Sequence, residues 1–203
     1  MNNSIIASII SFLVLLNPFA LFLYLQPVMR ELTKKDFRKV LFKASFISFV
    51  VYVFFLYAGE FIFDKVLRIN FEAFRMFGGI IFFMYAYMFI IHGKKSLITL
   101  KEDLDDLANE IALPFMAGAG TISLSVIMGQ NFSFHIGLLL LVIIMLLNYL
   151  IIILLISIRD MLSKRMKIAF DKNMEIGLRL NGLFAGAIGL NMIFVAVNNL
   201  FFK

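Results

Sequence analysis

The sequence predicts an all-α polytopic membrane protein: six transmembrane helices as two inverted three-helix repeats, with Pro-broken first and fourth helices. Three observations carry that reading. The chain of 203 residues is 62% hydrophobic, 16% charged and has a mean hydropathy of +0.97, which leaves too little polar surface to cover a soluble core. Runs such as 136–158 carry no charge over more than the roughly 20 residues that cross a bilayer. Two Pro-Phe sequences, LNPFA at 16–20 and ALPFM at 112–116, stand at matching places in the two halves.

Apolar runs bounded by charge or turn residues put the spans at about 4–25, 41–63, 71–92, 111–128, 134–158 and 178–201. In the first, LVLLNPFALFLYLQPVMREL sets Asn17 and Pro18 in the middle of a membrane run. Proline lacks a backbone donor and its ring crowds the carbonyl one turn earlier, so the carbonyl of Val14 is expected to be freed. Irregular backbone at this depth belongs where it is buried in protein or lines a cavity. Ser4, Ser8, Ser11 and Pro18 share one helical face, read as the interior face. The plainer alternative is a packing kink with serines bonded back to their own helix.

The second span gathers Ser45, Ser48, Tyr52 and Gly59 on one face, for which packing is the simpler reading. Glu60, about one turn inside its outer end, is the candidate for proton coupling, against the plainer reading of a solvated carboxylate. The third span opens on FRMFGG. After it, about 94–110 is acidic, with Leu97, Leu100, Leu104, Leu107 and Ile111 at three- and four-residue spacing, which predicts an amphipathic surface connector.

The fourth span contains LPFMAGAGTISLS. Pro114 breaks it, Gly118 and Gly120 permit close backbone approach, and Thr121, Ser123 and Ser125 bring hydroxyls. Unwound segments of this type expose amides and carbonyls able to hold a carboxylate and an ammonium, while a small-residue packing seam is the competing reading. Asn148 and Asn191 fall near the centres of the fifth and sixth spans, where interhelical hydrogen bonding competes with solute contact. Gly182, Ala185, Gly186 and Gly189 give the sixth span a helix-contact surface.

Basic residues decide whether the short fourth segment crosses. If it does, fifteen Lys and Arg gather on one side and four on the other; if it dips in and returns, the split is ten against nine. The positive-inside rule therefore predicts a crossing, with both termini outside the cell membrane. Met1–Ser11 has no basic stretch and the apolar run outlasts a signal-peptide core, so the first span is expected to be retained. With no cysteine, disulfides and thiolate metal sites are excluded. His92 and His135 have no clustered acids, and no nucleophile–base pair is legible, so neither a cofactor nor an enzyme is expected. The net charge of +6 lies between apolar spans, which points to the lipid bilayer and away from nucleic acid.

Three spans per half must face opposite ways, so repetition between halves argues for an inverted plan. Besides Pro18–Phe19 and Pro114–Phe115, the third and sixth spans share Arg-x-x-Gly, as Arg75/Gly78 and Arg179/Gly182. The expected organisation is a single transmembrane domain: a first repeat over about 1–93, the connector over about 94–110, and a second repeat over about 111–203.

NPFALFLYLQPVMRELTKKDFRK resembles the opening Asn-Pro segment of the MarC family of integral membrane proteins, and INFEAFRMFGGIIFFMYAYMFI its third-span block. IALPFMAGAGTISLSVI is similar to its Gly-Pro-Gly segment and LRLNGLFAGAIGLNMIF to its final span. The resemblance implies a six-span fold related to the LysE-type exporters and transport of small neutral amino acids such as alanine and glycine. Asn17 and Pro18 match the first motif; Pro114, Gly118 and Gly120 match the second. Ala20 and Ala119 depart from it, standing where the family has glycine and proline.

The expected function is a secondary transporter or exporter of small neutral amino acids, with proton coupling as an option. Binding and gating would fall to Asn17, Pro18, Phe19, Pro114, Gly118, Gly120, Thr121, Ser123, Asn148 and Asn191, and proton coupling to Glu60. A non-transporting membrane scaffold or partner subunit, and a passive channel for small solutes, are the alternatives.

Overall fold

The computed structural model describes residues 2–93 and 116–202, and every regular element among them is helical. The acidic connector, Pro114 and the start of the fourth expected span lie outside the described residues. Five segments are long and apolar enough to cross a bilayer: Ile5–Tyr24, Lys34–Leu67, Phe71–His92, Phe134–Met161 and Lys164–Phe201.

The first segment is two helices, α1 (Asn2–Leu16) and α2 (Pro18–Tyr24), joined at Asn17. Asn17 takes left-handed backbone angles (φ 49°, ψ 73°), which the short amide of asparagine tolerates better than most side chains. Its Oδ1 accepts from the Ala20 amide at 3.0 Å, and Pro18 occupies the first helical turn, where a missing donor is harmless. A short α3 (Gln26–Glu31) follows, and Thr33 caps α4 (Lys34–Phe61) by accepting from the Asp36 amide at 3.2 Å. That cap starts α4 on a charged turn, ahead of the apolar run that defined the expected 41–63 span. A wider helical turn over Ile62–Leu67 leads to Arg68, and Asn70 then caps α5 (Phe71–His92) through the Glu72 amide at 2.9 Å.

Beyond residue 115 come α6 (Ala119–Asn131), α7 (Phe134–Met161) and α8 (Lys164–Phe201). Among the described residues of the fourth expected span, α-helix begins at Ala119; the 13 residues of α6 reach about 20 Å, short of the roughly 30 Å hydrocarbon core. α8 is longer than the expected 178–201 span. Its 38 residues extend about 57 Å, because the charged stretch after Ser163 holds good helix formers and no proline before the apolar part begins.

Contacts fix how the helices run. α5 and α8 form the most extensive pair and are antiparallel, with Asn199 at Glu72, Gly189 at Gly79 and Arg179 at Ile90. α1, α2 and the start of α3 also lie against α8, through Val14–Asn181, Phe19–Gly177 and Gln26–Asp171. Gly93 lies beside Glu175 and Arg179, whereas Phe134 packs edge-on against Tyr57 at the other end of the bundle. The end of α5 and the start of α7 therefore lie at opposite ends of the molecule. Asn2 and Phe202 share one end, opposite the basic α3–α4 and α7–α8 junctions.

At that basic end Asp171 of α8 accepts Arg159 Nε at 2.8 Å and Nη2 at 2.9 Å, and Gln26 Nε2 at 2.9 Å. One carboxylate thus joins α3, α7 and α8, while Lys34 pairs with Asp160 at 2.6 Å. Asp171→Asn is expected to lower stability by about 1 kcal/mol in thermal unfolding, since a mostly buried guanidinium loses its charge partner. The interior is apolar around Phe12, Tyr52, Leu141 and Ile144. Outward, α4 turns Phe42, Phe46, Val50, Phe54 and Tyr57 at helical spacing, an apolar face suited to lipid.

Candidate functional site

The interruption between α1 and α2 meets the start of α6. A cavity of about 100 Å³ is bounded by Asn17, Ala20 and Leu21 on one side and by Met116, Gly118, Gly120 and Thr121 on the other; Phe82, Ala86 and Ala185 complete it. On that scale one water needs roughly 10–15 Å³, so the space admits several waters or a small solute.

At the first interruption Pro18 offers no N–H to the carbonyl of Val14. That carbonyl accepts instead from Asn181 Nδ2 of α8, at 2.7 Å. Asn17 is 4% exposed, and acceptance from the Ala20 amide fixes which end of its side chain is the donor. The donor end, Nδ2, has no partner among the described residues. A buried polar group left this way costs about 1–3 kcal/mol, which an acceptor arriving in the cavity would offset.

At the start of α6 Gly118 is extended (φ −86°, ψ 169°) and begins the helix without a side-chain cap. Thr121 Oγ1 lies 2.8 Å from the Met116 carbonyl and 3.0 Å from that of Gly118, and the Tyr52 hydroxyl donates to Met116 O at 2.5 Å. Hydroxyls from α4 and α6 thus hold the carbonyls of the unwound stretch. The first-turn amides of α6 keep the positive end of a helix dipole at the cavity wall.

Other expected site residues are placed elsewhere. Phe19 packs over Gly177 in a cluster with Ala20, Phe22 and Leu178, off the cavity. Ser123 is fully buried at the α5–α6 contact, facing Gly78, and its Oγ has no partner among the described residues. Asn148 is fully buried on α7, both amide atoms likewise unpartnered, and does not line the cavity. Glu60 is exposed at the end of α4, away from the cavity. Asn191 lies near the middle of its span as expected, but among the described residues it makes neither the interhelical nor the solute contact expected of it. The α8 face toward α5 is filled by Gly182, Gly186 and Gly189, and Asn191 points outward from the opposite face.

Three contributors escaped the sequence reading: Asn181, Tyr52 as a carbonyl donor, and Phe82. Asn181 had a signal, since it is a polar residue in phase with Gly182, Ala185 and Gly189 on a small-residue face. Phe82 had none. Its ring lies against Gly120, where any Cβ would collide with it. Gly120→Ala is expected to turn Phe82 off its present rotamer and reshape the cavity, at a cost of about 1 kcal/mol, the low end of overpacking, because the obstacle is a side-chain ring beside a cavity and not backbone. The measurement is solute flux in vesicles, expected to fall several-fold and to recover in Gly120→Ala, Phe82→Ala.

A lipid-facing, all-helical bundle in which the interruption of the first helix meets the start of α6 at a small internal cavity defines a polytopic integral membrane protein. The chain belongs to the MarC family of integral membrane proteins, whose family model matches residues 2–201. It is similar to a UPF0056 membrane protein of Aquifex aeolicus, 28% identical over 130 residues, which are 61% of this chain and 60% of that protein. It is also similar to a UPF0056 membrane protein of Pyrococcus horikoshii, 20% identical over 196 residues, 95% of this chain and 93% of that one. No solved structure matches the chain.

Proposed function

We propose that this protein is a secondary transporter or exporter of small neutral amino acids, of the alanine and glycine type. It would sit in the cell membrane with both termini outside and work as two inverted halves that rock about the paired interruptions. The observation that carries this reading is the convergence of the α1–α2 interruption and the start of α6 on one cavity, which resembles the plan by which transporters present backbone polar groups to a solute near the midplane. The unpartnered Asn17 Nδ2 and the uncapped first turn of α6 are donors suited to a carboxylate, and a cavity of about 100 Å³ is in keeping with a small solute.

The inverted arrangement is supported by the α5–α8 pair. Arg75 bonds Glu72 at 3.0 Å at one end of it, and Arg179 meets Glu175 at 3.4 Å at the other. The position of the basic junctions, opposite Asn2 and Phe202, supports the orientation. Proton coupling through Glu60 would act from the exposed end of α4 and not from the cavity wall.

Counterflow in proteoliposomes preloaded with alanine, glycine or threonine tests the proposal. Labelled amino acid should accumulate and saturate, and Asn17→Gly should weaken its affinity, because glycine keeps the left-handed backbone but removes the amide. No exchange with any of the three, in protein shown to be folded, overturns the substrate class; flux that never saturates would instead indicate a channel. A reporter fused after Lys203 should be reached from outside, and a cytoplasmic signal overturns the orientation.

A further inference from the structure

α8 has two opposed faces. Asn181, Gly182, Ala185, Gly186 and Gly189 are buried within the bundle. Directly opposite, Leu180, Phe184, Ala187, Asn191, Phe194 and Asn198 are all exposed, at successive intervals of four, three, four, three and four residues. That is the 3.5-residue repeat of a helix packing along a partner at a shallow left-handed crossing, with a polar residue at a core position setting register.

The polar residue identifies the occupant. Asn191 lies near the middle of the apolar 178–201 stretch and has no hydrogen-bond partner among the described residues. Against lipid, its two donors and its acceptor would all go unsatisfied. Copies of one chain insert into a bilayer the same way round, so a two-fold axis between them lies along the membrane normal and brings identical helices together in parallel. Asn191 then meets Asn191 of a second copy, and an amide is complementary to itself: each side chain donates to the other's oxygen. Ala187, one turn earlier, is the small residue that lets the two backbones approach.

We propose that this exposed seam of α8 is a homodimer interface, with the Asn191 amides of two copies hydrogen-bonded across the two-fold axis inside the membrane. The seam faces away from α5, so each protomer keeps its own cavity, and the pairing does not depend on which solute that cavity takes.

Because the chain has no cysteine, single introduced cysteines report alone. In vesicles holding the full-length protein, Phe184→Cys, Ala187→Cys and Phe194→Cys should form disulfide dimers on mild oxidation, whereas the exposed flank variants Leu183→Cys and Leu190→Cys should not. Asn191→Val should weaken dimerisation about tenfold in a protein-to-lipid titration read by energy transfer, and Asn191→Gln should retain it. Equal cross-linking at seam and flank overturns the proposal. So does a monomer at every lipid ratio, including one that captures a different membrane protein through this face, or a dimer indifferent to Asn191→Val.

Discussion

Replacing Gly189 with alanine is expected to destabilise the protein by about 3 kcal/mol, the upper end of ordinary overpacking. A Cβ at Gly189 would stand 2.7 Å from the Gly79 carbonyl oxygen and 3.1 Å from the Phe83 nitrogen; a Cβ at Gly79 would stand 2.6 Å from the Gly189 carbonyl oxygen. Both obstacles are backbone, so no side chain can turn aside and α5 and α8 must separate. Separation opens the longest contact in the bundle and forfeits dispersion along it. Gly79→Ala should cost as much, and the double variant clearly less than the sum, because one displacement accommodates both methyl groups. Gly118→Ala is the control: its φ is −86° and nothing stands within 4 Å of an added Cβ, so stability should not change. Thermal unfolding in detergent and in lipid reads all four. Equal costs at Gly118 and Gly189 would show that the close crossing of α5 and α8 is not what these glycines serve.

Asn181→Leu is expected to cost about 2 kcal/mol, because it strips the Val14 carbonyl of its only proton donor among the described residues. The cause lies four residues further along, at Pro18, which has no N–H to give. In Pro18→Ala the amide at position 18 could bond Val14 O if Asn17 relaxed to right-handed helix. The Asn181→Leu penalty should then shrink, leaving a coupling of about 1 kcal/mol between residues 163 positions apart in the chain. Strict additivity would mean that Asn181 packs and does not cap. The same relaxation straightens α1 into α2 and withdraws Asn17 from the cavity, so Pro18→Ala should also lower flux, whereas Asn181→Leu should act mainly on stability.

Much of the architecture was legible because a bilayer leaves few options. Backbone polar groups must be paired within each crossing segment, so a long uncharged run such as 136–158 can only be a helix. The freed carbonyl at Val14 followed from proline chemistry alone. Charge predicts that the end of α5 and the start of α7 lie at opposite ends of the bundle, since a re-entrant fourth segment would leave basic residues evenly divided. Boundaries were read less well. Hydropathy starts the second and sixth spans where charge stops, yet the helices start at Thr33 and Ser163, where β-region backbone opens a first turn of charged residues. Helix formation needs backbone hydrogen bonds and a start signal, not apolar side chains.

What the sequence by itself determined is that this chain spans a membrane as a helical bundle, that its first crossing helix breaks at Asn17–Pro18, and that it carries the motifs of its family. Those properties are local: a run of about 20 residues meets lipid, or a proline lacks a proton, whatever surrounds it. Tertiary structure alone decided that the Val14 carbonyl is answered by Asn181, that Phe82 lies against Gly120, and that Asn191 faces outward while Asn148 faces in. Periodicity divides a helix into faces, but it does not say which face another helix will claim. That depends on where neighbouring backbones can approach, and in α8 the choice fell to Gly182, Gly186 and Gly189, because only a surface without side chains admits α5 at backbone contact.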